Sequence, residues 1–148
     1  MARPQVPDTS AVLDALRRTD RWPALQRSLW GGRTWLSSVV VAELYAGTRS
    51  PADAAALDRI VAAMARVDRM VTPTAADWAR AGRLMARRIR LRGDLRPRDH
   101  LADVLILVSA ARLTGEVVTA NLRHFEAWAK LAGAAGLDVA VRGLDEAS

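Results

Sequence analysis

The sequence predicts an α/β fold with a central, mainly parallel sheet, and three observations lead there. Short apolar segments suited to strands alternate with longer segments of helical period, the pattern of strands joined by crossover helices. The chain has 148 residues, a length that suits one domain with a sizeable core better than two. No internal repeat or low-complexity tract interrupts that alternation.

Taken in order, "PQVP" is a poor strand because proline cannot donate to a ladder. "DTS" follows, Asp8 to Ser10, and supplies three cap-type residues ahead of a helix over "AVLDALRR". Gly31 to Arg33 reads as a turn, "TWLSS" as a short strand, and "VVVAELYAG" as a helix ending at Gly47. Pro51 opens a long alanine-rich helix running to Asp68, and "MVTP" is a further short strand. Thr74 caps a second long helix that runs to Arg92. On that helix Trp78, Ala81, Met85 and Ile89 share one face and are expected to pack inward, while Arg80, Arg83, Arg87 and Arg90 fall roughly opposite. "RGDLRPRD" is a loop, and Asp99 caps "HLADVLILVSAARL", apolar enough to be a buried central helix. "EVVTA" is a core strand, Asn121 caps "LRHFEAWAKLAG", and "LDVAV" closes the sheet. A single domain spans residues 1–148, with a frayed tail from Gly143.

Composition narrows the chemistry. The chain has no cysteine, which excludes disulfides and thiolate metal sites, and its two histidines, His100 and His124, are too few for a dedicated zinc site. No apolar run is long enough to span a membrane, and "MARPQVPDTS" lacks the hydrophobic region of a signal peptide, so a soluble cytoplasmic protein is expected. Lys and Arg number 22 against 16 Asp and Glu, and Lys130 is the only lysine. A net charge of +6 carried by planar guanidinium groups favours phosphate-bearing polyanions. The five tryptophans, Trp22, Trp30, Trp35, Trp78 and Trp128, are spread over different elements, as core or interface anchors rather than a base-stacking platform.

Against this basic background, four carboxylates need separate explanations. Asp8 sits at a strand-to-helix junction, where it can cap the helix, but the carboxyl end of a parallel strand also faces the ligand crevice. Glu43 has Val39, Val40, Ala46 and Gly47 at helical contact spacing and no cation among them, so it must either reach water or be ligated. Asp103 lies in the first turn of the apolar helix, where an interaction with the helix dipole is worth only about 0.3 to 1 kcal/mol and a buried acid needs a partner. Asp99 is one turn earlier on the same face. Oxygen ligands without soft donors are what Mg2+ or Mn2+ requires. Acids for a metal within a basic shell for phosphate make a nuclease-like set.

Four segments in order, "VPDTSAVLDAL", "SSVVVAELYAGTR", "HLADVLILVSAARL" and "VVTANLRHFEAW", resemble the PIN domain of bacterial VapC toxins, from about Val6 to Val141. The resemblance implies a three-layer α/β/α fold and a Mg2+- or Mn2+-dependent endoribonuclease, dimeric and held inactive by a VapB-like antitoxin. It further implies that Asp8, Glu43 and Asp103 are the acidic metal ligands, with Asn121 completing the catalytic set. Thr9, Ser10, Asp99 and Thr119 would support these from behind. RNA or the antitoxin would contact Arg80, Arg83, Arg87, Arg90 and His124.

In many similar proteins an aspartate stands at the place of Asn121 or of His124, and this chain has an acid at neither. The loss of one anionic ligand weakens metal binding. The resemblance therefore leaves two readings open: an active ribonuclease, or a catalytically degenerate module that binds RNA or a protein partner without cutting.

Overall fold

The computed structural model describes residues 2–19 and 32–144. Trp22, Trp30, Gly31 of the expected turn, and the tail beyond Leu144 lie outside the described residues. The strands are β1 (Gln5–Pro7), β2 (Leu36–Ser37), β3 (Met70–Val71), β4 (Glu116–Thr119) and β5 (Ala140–Gly143). The helices are α1 (Thr9–Thr19), α2 (Ser38–Ala46), α3 (Pro51–Arg66), α4 (Ala75–Arg92), α5 (Pro97–Arg112) and α6 (Leu122–Ala134).

All strand pairs are parallel. One ladder has the order β1-β4-β5 and the other pairs β2 with β3. Among the described residues a single parallel bridge, Gln5 to Thr34, joins the two, made by Gln5 N–H to Arg33 O at 2.9 Å and Trp35 N–H to Gln5 O at 2.8 Å. Helices pack on the sheet to complete an α/β/α arrangement. The centre of the core is Val6 and Val117 in the sheet with Val104, Ile106 and Leu107 of α5, all fully buried. Residues 104–111 of α5 are buried without a break, as expected of a central helix.

Several elements depart from the sequence reading. "PQVP" does form a strand: Pro4 O accepts from Glu116 N–H at 2.8 Å, and Asp8 N–H donates to Val118 O at 3.0 Å. Pro7 is the last residue of β1, and its alternation with Val6 and Asp8 turns its missing N–H away from β4. Helix α5 begins at Pro97, not after Asp99; Arg96 takes the N-cap position without a side-chain bond. Asp103 is therefore in the second turn of α5, beyond the first. The last strand starts at Ala140, because Leu137 N–H still bonds back to Ala132 O and the pairing begins with Ala140 N–H to Gly115 O. Trp78 is 51% exposed. The inward face of α4 is Asp77, Ala81, Leu84 and Met85, spaced i, i+4, i+7, i+8, and Trp78 falls one position off it.

Asp77 is tolerated at zero exposure because its carboxylate has three jobs. It closes the capping box with Thr74, receives Arg112 Nε at 3.1 Å, and has Arg80 at 3.6 Å. The turn from α5 to β4 is as demanding. A Cβ on Gly115 would lie 2.9 Å from Pro4 O and 3.3 Å from Ala110 O, so only glycine lets α5 pass this close to β1.

Candidate functional site

The site is built at the carboxyl ends of β1 and β4. Asp8 follows β1 directly and is 4% exposed. Its Oδ1 accepts from Ser10 Oγ at 2.7 Å and from Ala11 N–H at 2.9 Å, which caps α1. Its Oδ2 accepts from the Thr119 hydroxyl at 2.7 Å. The capping and crevice readings of Asp8 are thus compatible, since each oxygen keeps lone-pair capacity after these bonds.

Thr119, fully buried at the end of β4, does two things with one hydroxyl: besides donating to Asp8 it accepts from Asn121 N–H at 2.9 Å. Ser10 works in parallel, donating to Asp8 and accepting from Ala120 N–H at 3.0 Å. Two hydroxyls therefore lock the Asp8 carboxylate to the backbone that leads into α6. Asn121 occupies the N-cap position of α6, but its side chain makes no cap bond and is exposed; its own N–H is taken by Thr119. The expected amide cap is thereby corrected, and the Asn121 side chain is left available.

Glu43 is exposed on α2, so its apolar neighbours do not enclose it. Its Oε1 accepts the Thr9 hydroxyl at 2.7 Å, which ties α2 to the residue after Asp8. Asp103 on α5 has about a third of its side chain accessible and meets His124 of α6, Oδ2 to Nε2, at 2.9 Å. Burial pushes the Asp103 carboxyl above its ordinary range. The His124 hydrogen bond and charge pull it down, the Asp8 charge pushes it up, and His100 lowers it slightly. The charge of Asp8 is therefore felt at Asp103. Asp99 is exposed in the first turn of α5.

Sequence reasoning missed His100 and the bond that holds His124. His100 lies 5.6 Å from the His124 ring and 5.8 Å from the Trp128 ring, centroid to centroid, in a small aromatic stack beside Asp103. Asp103 and His124 are 21 residues apart in sequence, and only the packing of α5 on α6 joins them. Arg80, Arg83 and Arg90 are exposed and Arg87 is partly buried, all on the side of α4 that meets the end of α6.

The donor set suits a hard divalent cation: carboxylate and hydroxyl oxygens, with no sulfur. The Asp8 charge acts on Asp103, and the burial that raises the Asp103 carboxyl is the kind of cost that a bound cation relieves. Among the described residues, no three Asp, Glu or His side chains converge closely enough to hold an ion by themselves. In this arrangement Glu43 is drawn to Thr9 and Asp103 to His124.

A model of the PIN domain family matches residues 6–131. A comparison with curated protein sequences finds no match. Among solved structures, the chain is similar to a chain of the DNA-bound VapBC complex from Salmonella typhimurium, with 20% identity, a TM-score of 0.64, and 97% of this chain and 98% of that one covered. It is also similar to a chain of FitAB bound to the IR36 DNA fragment, at 17% identity and TM-score 0.60 over 94% of each chain. A third is VapBC2 from Rickettsia felis bound to a DNA fragment from its promoter: 16% identity, TM-score 0.59, and 95% and 98% covered. At these identities the likeness is one of fold.

Proposed function

The chain belongs to the PIN domain family, whose model its residues 6–131 match, and from that premise we propose that it is the metal-dependent endoribonuclease toxin of a VapBC-type toxin–antitoxin pair. The observation that carries the reading is the Asp8 carboxylate, fixed at the crevice end of the sheet by Ser10, Ala11 and Thr119, with Asp103 in electrostatic reach. A structural cap needs only the Ala11 bond. The further hydroxyls and the second, desolvated carboxylate add nothing to capping and fit an ion-binding pair.

In this reading Asp8, Asp103 and Glu43 hold Mg2+ or Mn2+, which when bound supplies polarisation of a phosphate oxygen and activation of water for hydrolysis. Thr119 and Ser10 aim the Asp8 oxygens, Thr9 aims Glu43, and His124 aims Asp103 Oδ2. The exposed Asn121 amide, at the N-cap of α6, offers a carbonyl oxygen as a fourth ligand group in place of an anion. Asp99, exposed four residues before Asp103, supports the site through its charge alone. The substrate is RNA. The partners are a VapB-like antitoxin and a second copy of the chain in a homodimer, within the cytoplasm. Among the described residues no helix is long and apolar enough to cross a membrane.

The neutral amide at Asn121 and the lack of a converging acidic triad favour a second reading, a PIN module that binds without cutting. One experiment separates them: total RNA incubated with antitoxin-free protein in Mg2+, in Mn2+ and in chelator, beside Asp103→Asn. Discrete fragments that need the metal and vanish in the variant, with its fold intact by circular dichroism, are the expected result. A folded wild type that cuts nothing under either metal would refute the enzyme and leave the binding module.

A further inference from the structure

Where α5 meets α6, a carboxylate faces a ring nitrogen. His124 Nε2 lies 2.9 Å from Asp103 Oδ2, and their side chains are 29% and 33% exposed, so the pair is open to solvent. The His124 ring is seated by its neighbours: His100 lies against it at 5.6 Å and a 31° tilt, Trp128 stands 5.8 Å from His100, and Phe125 meets it edge-on at 5.6 Å. A surface ion pair contributes little and needs no such seat. Nor does it need a second carboxylate, yet the charge of Asp8 is felt at Asp103.

The spacing of the pair fits another job. Two neighbouring ligands of an octahedral ion, each about 2.1 Å from it, stand about 3.0 Å apart. Asp103 Oδ2 and His124 Nε2 are already at that separation, so one ion can take both without parting them. In a neutral ring with its proton on Nδ1, Nε2 carries a free lone pair, and the hydrogen bond gives way to two bonds to the ion. Among the described residues no three Asp, Glu or His side chains converge, and this pair is where two donors already share an ion's spacing.

Nitrogen changes which ion is held. Mg2+ takes oxygen ligands and keeps its waters, whereas imidazole suits transition ions, with affinity rising from Mn2+ to Co2+. We propose that His124 Nε2 is a ligand of the divalent ion alongside Asp103 Oδ2, and that this nitrogen turns the site toward Mn2+ and Co2+ and away from Mg2+. The proposal rests on the metal-dependent reading above and adds to it the donor that selects the ion. His124 then does more than aim Asp103: it binds the same ion.

The test is ion binding by the antitoxin-free, RNA-free full chain, measured by titration calorimetry with Co2+, Mn2+ and Mg2+ in wild type, His124→Gln and His124→Asp. Wild type is expected to bind Co2+ and Mn2+ more tightly than Mg2+. His124→Gln should lose at least about 100-fold in Co2+ affinity, more than a merely supporting partner is worth, and less than about 10-fold in Mg2+ affinity. His124→Asp should recover Mg2+ binding and forfeit the preference. In Mn2+-loaded protein, electron spin echo modulation from a bound nitrogen is expected in wild type and His100→Gln and absent from His124→Gln, whose fold is checked by circular dichroism. Should that variant not fold, the wild-type and His100→Gln signals decide alone. Equal losses for all three ions in His124→Gln, or no nitrogen modulation in Mn2+-loaded wild type, would overturn the ligand and leave His124 as an orienting group only. A wild type that binds none of the ions would instead sink the metal-dependent reading, and this inference with it.

Discussion

Thr119→Val changes one atom's chemistry at nearly constant volume, and it tests how the site is held. The hydroxyl is fully buried, donates to Asp8 Oδ2 at 2.7 Å and accepts from Asn121 N–H at 2.9 Å. Losing a hydrogen bond to a carboxylate costs about 1.5 to 3 kcal/mol, and losing the acceptor of the Asn121 N–H about 1 kcal/mol. Both bonds share one oxygen, so the sum is an upper figure, and a net loss of about 2 to 4 kcal/mol is expected. For a chain of this size each kcal/mol moves Tm by about 2 to 4 °C, which gives a fall of about 5 to 15 °C. Thermal unfolding followed by circular dichroism measures it, with Thr119→Ser as the control that keeps the hydroxyl and loses only a methyl. Within the proposed function, the divalent concentration needed to raise Tm half-maximally should increase about 10- to 100-fold in the valine variant. A valine variant within about 1 kcal/mol of wild type, or a serine variant that falls as far, would refute the account.

The remaining predictions concern Asp103 and Gly115. Because the Asp103 carboxyl lies above its ordinary range in the folded state, the native protein holds that proton more tightly than the unfolded chain does; its contribution to stability is whole below the ordinary aspartate range and is lost as pH rises through the folded value. Asp103→Asn cannot lose it, so in chelator its Tm should gain on wild type as pH rises from about 3 to 7, and a constant difference across that range would contradict the assignment. Gly115→Ala places a methyl 2.9 Å from a backbone oxygen at the end of β4 away from Thr119. It should cost about 1 to 3 kcal/mol in denaturant unfolding while leaving any metal-induced Tm rise unchanged, and a variant as stable as wild type would disprove the close approach.

The legible parts of the sequence were those decided by local chemistry. Thr74 capped α4 as its residue type predicts, Pro51 opened α3, and the unbroken apolar run of α5 marked it as central. β1 was hidden because proline counts against any strand, whereas a strand end asks for donors on one side only. Trp78 misled because hydrophobicity was read without its partner: Asp77 goes inside because Arg112, 35 residues away, comes to meet it. The same limit applies at the site. Asp8 was visible from its junction, but the Ser10 and Thr119 hydroxyls that hold it, and the His124 that holds Asp103, are joined only by tertiary packing.

Among the described residues the two ladders are bridged at Gln5 and Thr34, and the site straddles that joint. Asp8 follows β1 and Asp103 lies on α5, whereas Glu43 lies on α2, which packs on β2, α3 and α5 and is tied to α1 by the Thr9 hydroxyl. Sub-global opening follows the weakest joint between cooperative units. An opening at that joint is expected to part the Thr9–Glu43 bond before the buried Asp8–Thr119 bond, with the Trp35 amide, bonded to Gln5 O, as its reporter. The carboxylates are thus not held alike: Asp8 is fixed by buried bonds, whereas Glu43 hangs on one exposed hydroxyl contact between two helices.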